Sequence, residues 1–278
     1  MSGAALMSLL DAAIQAAVTG GAAILKVYAG PFDVELKADR SPLTLADRNA
    51  HTAIEQSLST TGLPVLSEEG ATVPVGERQG WERYWLVDPL DGTKEFVKRN
   101  GEFTVNIALM QRDDRLVGPL GSSMPIAGVI YVPEKDVLYF AWQGGGAYRS
   151  QGAATHWGIT AYERVAMSTP LPAAEPHAAY TVLASRSHRS PETEAFIQRA
   201  EKEHGTLAFT FMGSAIKFGL MAEGVADVYP RFAPTMEWDT AAGQIICTEA
   251  GKQLIDVTTN APMRYNKNEL VNNWFIVQ

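Results

Sequence analysis

Residues 85–96 read WLVDPLDGTKEF. The apolar run from Tyr84 through Val87 is a short strand signal that delivers the chain to Asp88. Pro89 restricts the backbone between Asp88 and Asp91, and Gly92 permits a tight turn. Both carboxylates and the Leu90 carbonyl can therefore converge at the strand end. These are hard oxygen donors of the kind that magnesium takes in near-octahedral geometry. The same fragment is also an ordinary turn composition, in which the two aspartates bond to nearby amides. Alone it leaves both readings open.

Other acidic residues bear on that choice. Glu68 and Glu69 follow a second apolar approach, Val65-Leu66, where chain turns present functional groups; an isolated Glu-Glu pair is otherwise a solvated surface. Asp239, in EWDTAAG, stands before a small-residue helix start and could equally cap that helix. Three acidic knots in one chain favour a shared cation, because gathered carboxylates repel one another unless protons or cations offset the charge. Asp47 and Thr93 are candidates for handling a water molecule, with the Thr93 hydroxyl orienting it and Asp47 polarising that hydroxyl. Thr44-Leu45-Ala46-Asp47 is also a capping-box pattern, so Asp47 has two readings.

The cationic candidates are fewer. Lys217 lies early in a helix opened by GSAIK, where free amides at Gly213 and Ser214 would suit a phosphate; a solvated lysine on an amphipathic helix fits the pattern equally. Arg231 in YPRF, Arg186 beside Ser187 and His188, and the Lys94, Lys98, Arg99 group are weaker options, each read as surface before a fold is known.

Leu6, Leu10, Ala13, Ile14 and Ala17 recur at helical spacing, and Ile24, Val27 and Tyr28 continue the pattern past a Gly20-Gly21 step that predicts a bend. A second helix, capped by Thr44, carries Ala46, Ala50, Ile54 and Leu58 on one face. Strands are expected at Phe103 to Met110, Ile126 to Val132, Asp136 to Trp142, Tyr180 to Ala184 and Ala226 to Tyr229. Further helices are expected at Pro191 to Lys202, Ser214 to Ala222 and from near Thr240. Asp113 to Pro125 reads as a loop, and a subdomain boundary falls between Gln151 and Pro176. The mixture favours a layered α/β arrangement over a helical bundle.

The 278 residues, 46% of them hydrophobic, can form a sizeable core. A net charge of -8 argues against a broad nucleic-acid surface or a polybasic membrane patch, though a cation can reverse the sign inside one pocket. The single cysteine, Cys247, excludes an intramolecular disulfide and thiolate clusters, and reads as a small core residue. The N-terminus lacks the basic leader of a signal peptide, and no stretch reads as the eighteen or more apolar residues of a membrane span.

Five stretches together resemble the bacterial 3'(2'),5'-bisphosphate nucleotidases of the inositol monophosphatase superfamily. They are SPLTLAD (41–47), PVLSEE (64–69), WLVDPLDGTKEFVKRNGEFTVNIAL (85–109), GSAIKFGLMAEG (213–224) and YPRFAPTMEWDTAAG (229–243). The resemblance implies a mixed α/β fold, a layered αβαβα sandwich of the inositol monophosphatase and sugar phosphatase type. It further implies an N-terminal subdomain (1–165) carrying the main metal motifs and a C-terminal one (166–278), working as one module.

By the same resemblance, at least two Mg2+ ions would be held. Glu68, Asp88 and the Leu90 carbonyl would serve the first, and Asp88 would bridge to a second held by Asp91 and Asp239. Asp47 and Thr93 would be the water-activating pair, and Glu69 would support the centre from behind. Glu68, Leu90, Asp91, Gly92, Thr93, Ser214, Lys217, Arg231 and Asp239 would contact the substrate. That substrate would be adenosine 3',5'-bisphosphate, converted to AMP and phosphate in the recycling of sulfate-assimilation by-products, with sensitivity to lithium. The resemblance implies a site on the cytoplasmic side, and allows a homodimer and peripheral association with the inner membrane. The alternatives are an inositol-phosphate or fructose-bisphosphate phosphatase, and a non-catalytic phosphonucleotide-binding protein. The loop from Asp113 to Pro125 is longer than expected of compact bacterial relatives.

Overall fold

The structure is a computed structural model that describes residues 1–36, 42–116, 121–175, 178–184 and 190–278. Ser41, Arg186, Ser187, His188 and the middle of the 113–125 loop lie outside the described residues.

The N-terminal half runs through α1 (Gly3–Tyr28), β1 (Val34–Leu36), β2 (Pro42–Thr44), α2 (Leu45–Leu58), β3 (Val65–Ser67), α3 (Val75–Arg78), β4 (Arg83–Asp91) and α4 (Thr93–Val97). It continues with β5 (Thr104–Arg112), β6 (Ser123–Val132), β7 (Val137–Trp142), β8 (Gly146–Gln151), α5 (Ala161–Ala166) and β9 (Thr169–Pro170). Strands β3 to β9 pair in chain order as one seven-stranded sheet. The rest comprises β10 (Thr181–Ala184), α6 (Pro191–His204), β11 (Ala208–Phe211), α7 (Ile216–Glu223), β12 (Tyr229–Arg231), α8 (Glu237–Glu249), β13 (Leu254–Asp256), β14 (Ala261–Pro262) and β15 (Phe275–Val277). A four-stranded sheet of order β12-β15-β13-β14 meets the β10-β11 pair through a Val182–Val228 bridge.

The two-residue period of the strands explains the layers. Trp85 and Val87, Val105, Ile107 and Leu109, and Val129 and Tyr131 share a core with α1 and α2. Their alternates Tyr84, Leu86, Ala108, Met110, Ile130 and Val132 share the other core with α7 and α8. The second sheet lies beyond α7 and α8, and α6 covers its far face through Ile197 and Ala200 against Val182 and Val228. Helix, sheet, helix, sheet, helix is the five-layer sandwich that the sequence led us to expect. Because both faces of the central sheet are covered, truncating a fully buried residue such as Leu10 to alanine would cost about 2–5 kcal/mol.

The long first helix forms as expected, with Gly20 and Gly21 inside it. A Cβ on Gly20 would stand 2.7 Å from Ile54 and one on Gly21 2.4 Å from Tyr131, so the glycines let α2 and the sheet approach the helix closely. Several expectations are corrected. By length and hydropathy α1 could cross a membrane, contrary to the sequence expectation, although half of its most apolar window is buried within the fold. The strand expected at Ala226 to Tyr229 forms at Tyr229–Arg231, where pairing to β15 is available. Helix α7 begins at Ile216 instead of Ser214, and α8 at Glu237 instead of Thr240.

Candidate active site

Strands β3 and β4 run parallel, with Ser67 opposite Val87, and the Glu68 amide extends the ladder by donating to the Val87 carbonyl at 3.1 Å. The register therefore sets Glu68 beside Asp88, at the carboxyl end of a parallel pair, where α/β sheets present ligand-binding groups. Asp88 and Asp91 do not lie in a turn after the strand. Both belong to β4, opposite Asn106 and Thr104 of β5, with a register shift between them. Pro89, which cannot donate to the ladder, occupies that bulge, and the Leu90 amide donates back to Asp88 Oδ1 at 3.0 Å. Gly92 then takes φ +93°, and a Cβ there would stand 2.9 Å from the Glu102 carbonyl oxygen. Only glycine suits that position, and α4 starts directly after it, carrying Thr93.

Asp47 caps its own helix and bonds Thr93 at once. Its Oδ2 accepts the Thr44 amide at 2.7 Å and the Thr44 hydroxyl at 2.6 Å, closing the capping box of α2. Its Oδ1 is left to accept the Thr93 hydroxyl at 3.2 Å. The helix cap thus fixes the carboxylate that orients Thr93, whose hydroxyl also lies 3.4 Å from the Leu90 carbonyl.

Asp239 sits in the first turn of α8 rather than at its cap, and its Oδ2 accepts the Met236 amide at 2.8 Å. Its acidity is perturbed together with that of the aspartates of β4. Burial holds the Asp88 carboxyl well above the usual range, with further upward pressure from Glu68, Asp91 and Asp239. Asp239 is raised well above its usual value by burial, Asp91 and Glu68. Asp91 is raised by burial, against opposing pulls from Lys217, the Ala215 amide and Asn106. Four carboxylates thus share one electrostatic neighbourhood.

The donor set fits magnesium: carboxylate oxygens and a carbonyl, hard ligands whose mutual repulsion a divalent cation would relieve. Two residues absent from the sequence reading adjoin it. The Thr104 hydroxyl and both polar atoms of the Asn106 side chain are buried without a well-formed hydrogen bond; the Asn106 influence on Asp91 is a weak contact, not a proper bond. A polar pair inside the otherwise apolar strand TVNIALM, opposite two acids, was the available signal. Among the described residues no three or more His, Cys, Asp and Glu side chains are already closed into a ligand cage. The four carboxylates are gathered by the fold against their mutual repulsion, without a preformed polyhedron.

Of the cationic candidates, Lys217 and Arg231 lie close enough to act on the aspartates and on each other. Lys217 is buried, donates to the Ser214 carbonyl at 2.6 Å and lies over the Tyr229 ring at 5.5 Å. Burial pushes its ammonium down to about 8, with Asp91 and Arg231 acting in opposite directions. Arg231 reaches the Pro234 carbonyl at 3.4 Å and influences both Lys217 and Asp239. Ser214 adopts φ +46° just before α7. The Gly213 amide is not free, as the sequence suggested: it donates to Glu102 Oε2 at 2.7 Å. Glu69 acts on the charge of Arg48, on α2, while Lys98 pairs with Glu95 and Arg99 closes the end of α1 on the Tyr28 carbonyl.

A family model described as the inositol monophosphatase family matches residues 5–275. The 3'(2'),5'-bisphosphate nucleotidase CysQ of Escherichia coli (strain K12) is 43% identical over 267 residues, which cover 94% of this chain and 95% of the relative. Its namesake in Haemophilus influenzae is 29% identical over 278 residues, covering 97% and 92%. Among solved structures, CysQ from Bacteroides thetaiotaomicron, a bacterial member of the inositol monophosphatase family, matches with TM-score 0.87 and 49% identity, covering 98% of this chain and 97% of that one. The extragenic suppressor protein SuhB from Bartonella henselae, at TM-score 0.68 and 23% identity over 97% and 93%, shares the fold.

Proposed function

Because the chain belongs to the inositol monophosphatase family, we propose that it is a magnesium-dependent 3'(2'),5'-bisphosphate nucleotidase, which hydrolyses the 3'-phosphate of adenosine 3',5'-bisphosphate to AMP and phosphate. The observation that carries this reading is the single neighbourhood of Glu68, Asp88, Asp91 and Asp239 beside an Asp47–Thr93 hydrogen bond. The nucleotide half of the assignment rests on the 43% identity to the bisphosphate nucleotidase of Escherichia coli.

Glu68, Asp88 and the Leu90 carbonyl would hold one magnesium ion, and Asp88, Asp91 and Asp239 a second. Such ions supply Lewis-acid polarisation and charge neutralisation in phosphoryl transfer. The chain's own residues do the rest. Asp47, pinned by Thr44, accepts the Thr93 hydroxyl proton and so turns a lone pair of Thr93 Oγ1 toward an incoming water. That water attacks phosphorus in line with the 3'-oxygen: its oxygen forms the new bond to phosphorus as the bond to the 3'-oxygen breaks, its proton passes to Thr93 Oγ1 as the Thr93 hydroxyl proton moves to Asp47, and the 3'-oxygen leaves as the ribose hydroxyl with a proton from solvent water. Gly92, where no side chain fits, makes the turn that sets Thr93 at the start of α4, and its backbone would meet the scissile phosphate. Lys217, Ser214 and Arg231 receive the remaining anionic part of the nucleotide. The halves 1–165 and 166–278 act as one catalytic module in this reading, since the carboxylates come from the first and from α8 of the second.

The test is kcat/KM measured side by side with adenosine 3',5'-bisphosphate and inositol 1-phosphate. We expect a preference of at least about a hundredfold for the nucleotide, the scale of one well-placed set of polar contacts. A preference for the inositol ester overturns the nucleotidase assignment.

A further inference from the structure

A second polar cluster lies behind the site. Glu237, two residues before Asp239, is fully buried. Its Oε2 accepts the Asn266 amide at 2.7 Å, and its Oε1 accepts the Lys267 amide at 3.0 Å and the Lys267 ammonium at 2.6 Å. Asn266, with φ +66°, is gripped in turn by buried Arg78, which donates to Asn266 Oδ1 at 2.6 Å and to the Asn268 carbonyl at 2.7 Å. The Asn266 amide group returns a bond to the Arg78 carbonyl at 2.9 Å. From the same loop Asn272 Nδ2 donates to the Met236 carbonyl at 2.6 Å and to the Thr240 hydroxyl at 3.0 Å. Residues 264–272 therefore hold the entry of α8 from 236 to 240 by side-chain and main-chain bonds.

Burying an ion pair costs desolvation, and such a pair is weak support for stability in itself. This one stands where a force must be resisted: Asp239 is pressed by Asp91 and Glu68, and a first helical turn is the part that frays most easily. Both Glu237 oxygens accept a backbone amide, so a neutral amide of the same shape would turn its NH2 against one of those donors. We infer that Glu237, seated on Lys267, Asn266 and Arg78, is a positioning residue that holds Asp239 in place for the divalent cation. The inference rests on the assignment of Asp239 to the metal centre, and it adds a part of the chain, 264–272, that no site residue occupies.

The experiment is isothermal titration of Mg2+ into the chelator-treated full-length protein, with Mg2+ dependence of activity measured alongside, for wild type, Asp239→Asn and Glu237→Gln. Supporting residues behind a metal ligand typically change metal affinity by about 10–100-fold. We expect Glu237→Gln to weaken Mg2+ binding about tenfold and to raise the Mg2+ half-saturation of activity equally, while kcat at saturating Mg2+ stays within about threefold of wild type. If Glu237→Gln does not fold, Lys267→Gln takes its place with an expected loss of about threefold. Wild-type Mg2+ affinity in the folded variant, with Asp239→Asn weakened, overturns the positioning role and leaves the site standing. Wild-type affinity in Asp239→Asn instead overturns the assignment of Asp239, and the positioning role with it.

Discussion

The two ends of strand β5 carry opposite kinds of charge chemistry. At its start, Thr104 and Asn106 face Asp91 and Asp88, and carboxylates are packed beside carboxylates. At its end, roughly 25 Å away at a strand's rise per residue, Arg112 and neighbouring residues line an open cavity of about 700 Å³. There Arg112 pairs with Asp114 at 2.7 Å and Arg115 with Asp113 at 2.7 Å. One residue type shifts in opposite directions: Asp88 is held well above the usual carboxylate range, whereas the Arg115 side chain draws Asp113 down to about 2. At the far end opposite charges pair, and at the near end like charges crowd one another. A cavity is not by itself a sign of chemistry; like charges held together by the fold are the stronger pointer to a functional site.

The largest expected effect breaks this contrast at its centre. Asp88→Asn should lower kcat/KM by about a thousandfold or more at saturating Mg2+, the scale of losing a principal electrostatic group; wild-type turnover would remove Asp88 from the site. In chelated protein the same change should raise Tm, because a repelled, buried carboxylate is gone. The sign follows from linkage: a raised folded-state pKa stabilises the protein at low pH, and that stability is lost as pH rises through the raised value. Chelated wild type should accordingly melt lower at pH 7 than at pH 5, and Mg2+ should close the gap.

Next in size, Thr93→Ala and Asp47→Asn should each cost about 10²–10⁴-fold in kcat with a smaller change in KM, as expected for handling of the attacking water. Asp47→Asn should also lower Tm, since it weakens the α2 cap by about 1 kcal/mol. A drop in Tm without a drop in kcat would reduce Asp47 to its capping role. Smaller again, Lys217 should impose an alkaline limb on kcat/KM near pH 8, where its ammonium loses its proton; kcat/KM reports groups of the free enzyme. Lys217→Met should abolish that limb and lower kcat/KM about tenfold, the range for one charged contact. At the foot of the scale, Arg115→Ala at the opposite end should leave activity unchanged and Tm within about 1 °C, because the Arg115 side chain is 89% exposed and exposed pairs contribute little.

What could be read from the sequence was local. The strand before Asp88 was visible because Tyr84 to Val87 is an unbroken apolar run, and the helix after Thr44 because its cap and apolar face agree. The capping box even placed Asp47, although only the fold shows that Thr44 uses one of its oxygens and Thr93 the other. Asp88 and Asp91 were located but misplaced, since a bulge carrying Pro89 looks in sequence like the turn that ends a strand. The close approach that Gly20 and Gly21 permit could not be read, because Ile54 and Tyr131 lie on other elements. Strands β13 to β15, two or three residues each, are too short to show a period. Glu237 escaped notice for the same reason of distance: its partners are a loop whose composition resembles any other surface turn until Arg78 and Lys267 close on it.

The tight seat of Gly21 against Tyr131 has a consequence for how the chain is made. The apolar helix leaves the ribosome well before the aromatic ring that covers it is translated, and at ordinary synthesis rates that interval lasts seconds. During it the helix offers its bare stripe to any passing greasy surface. Gly21→Ala should therefore reveal itself in the cell before it does in the cuvette, as a nascent chain that clumps or is captured by chaperones while waiting for a partner it can no longer fit.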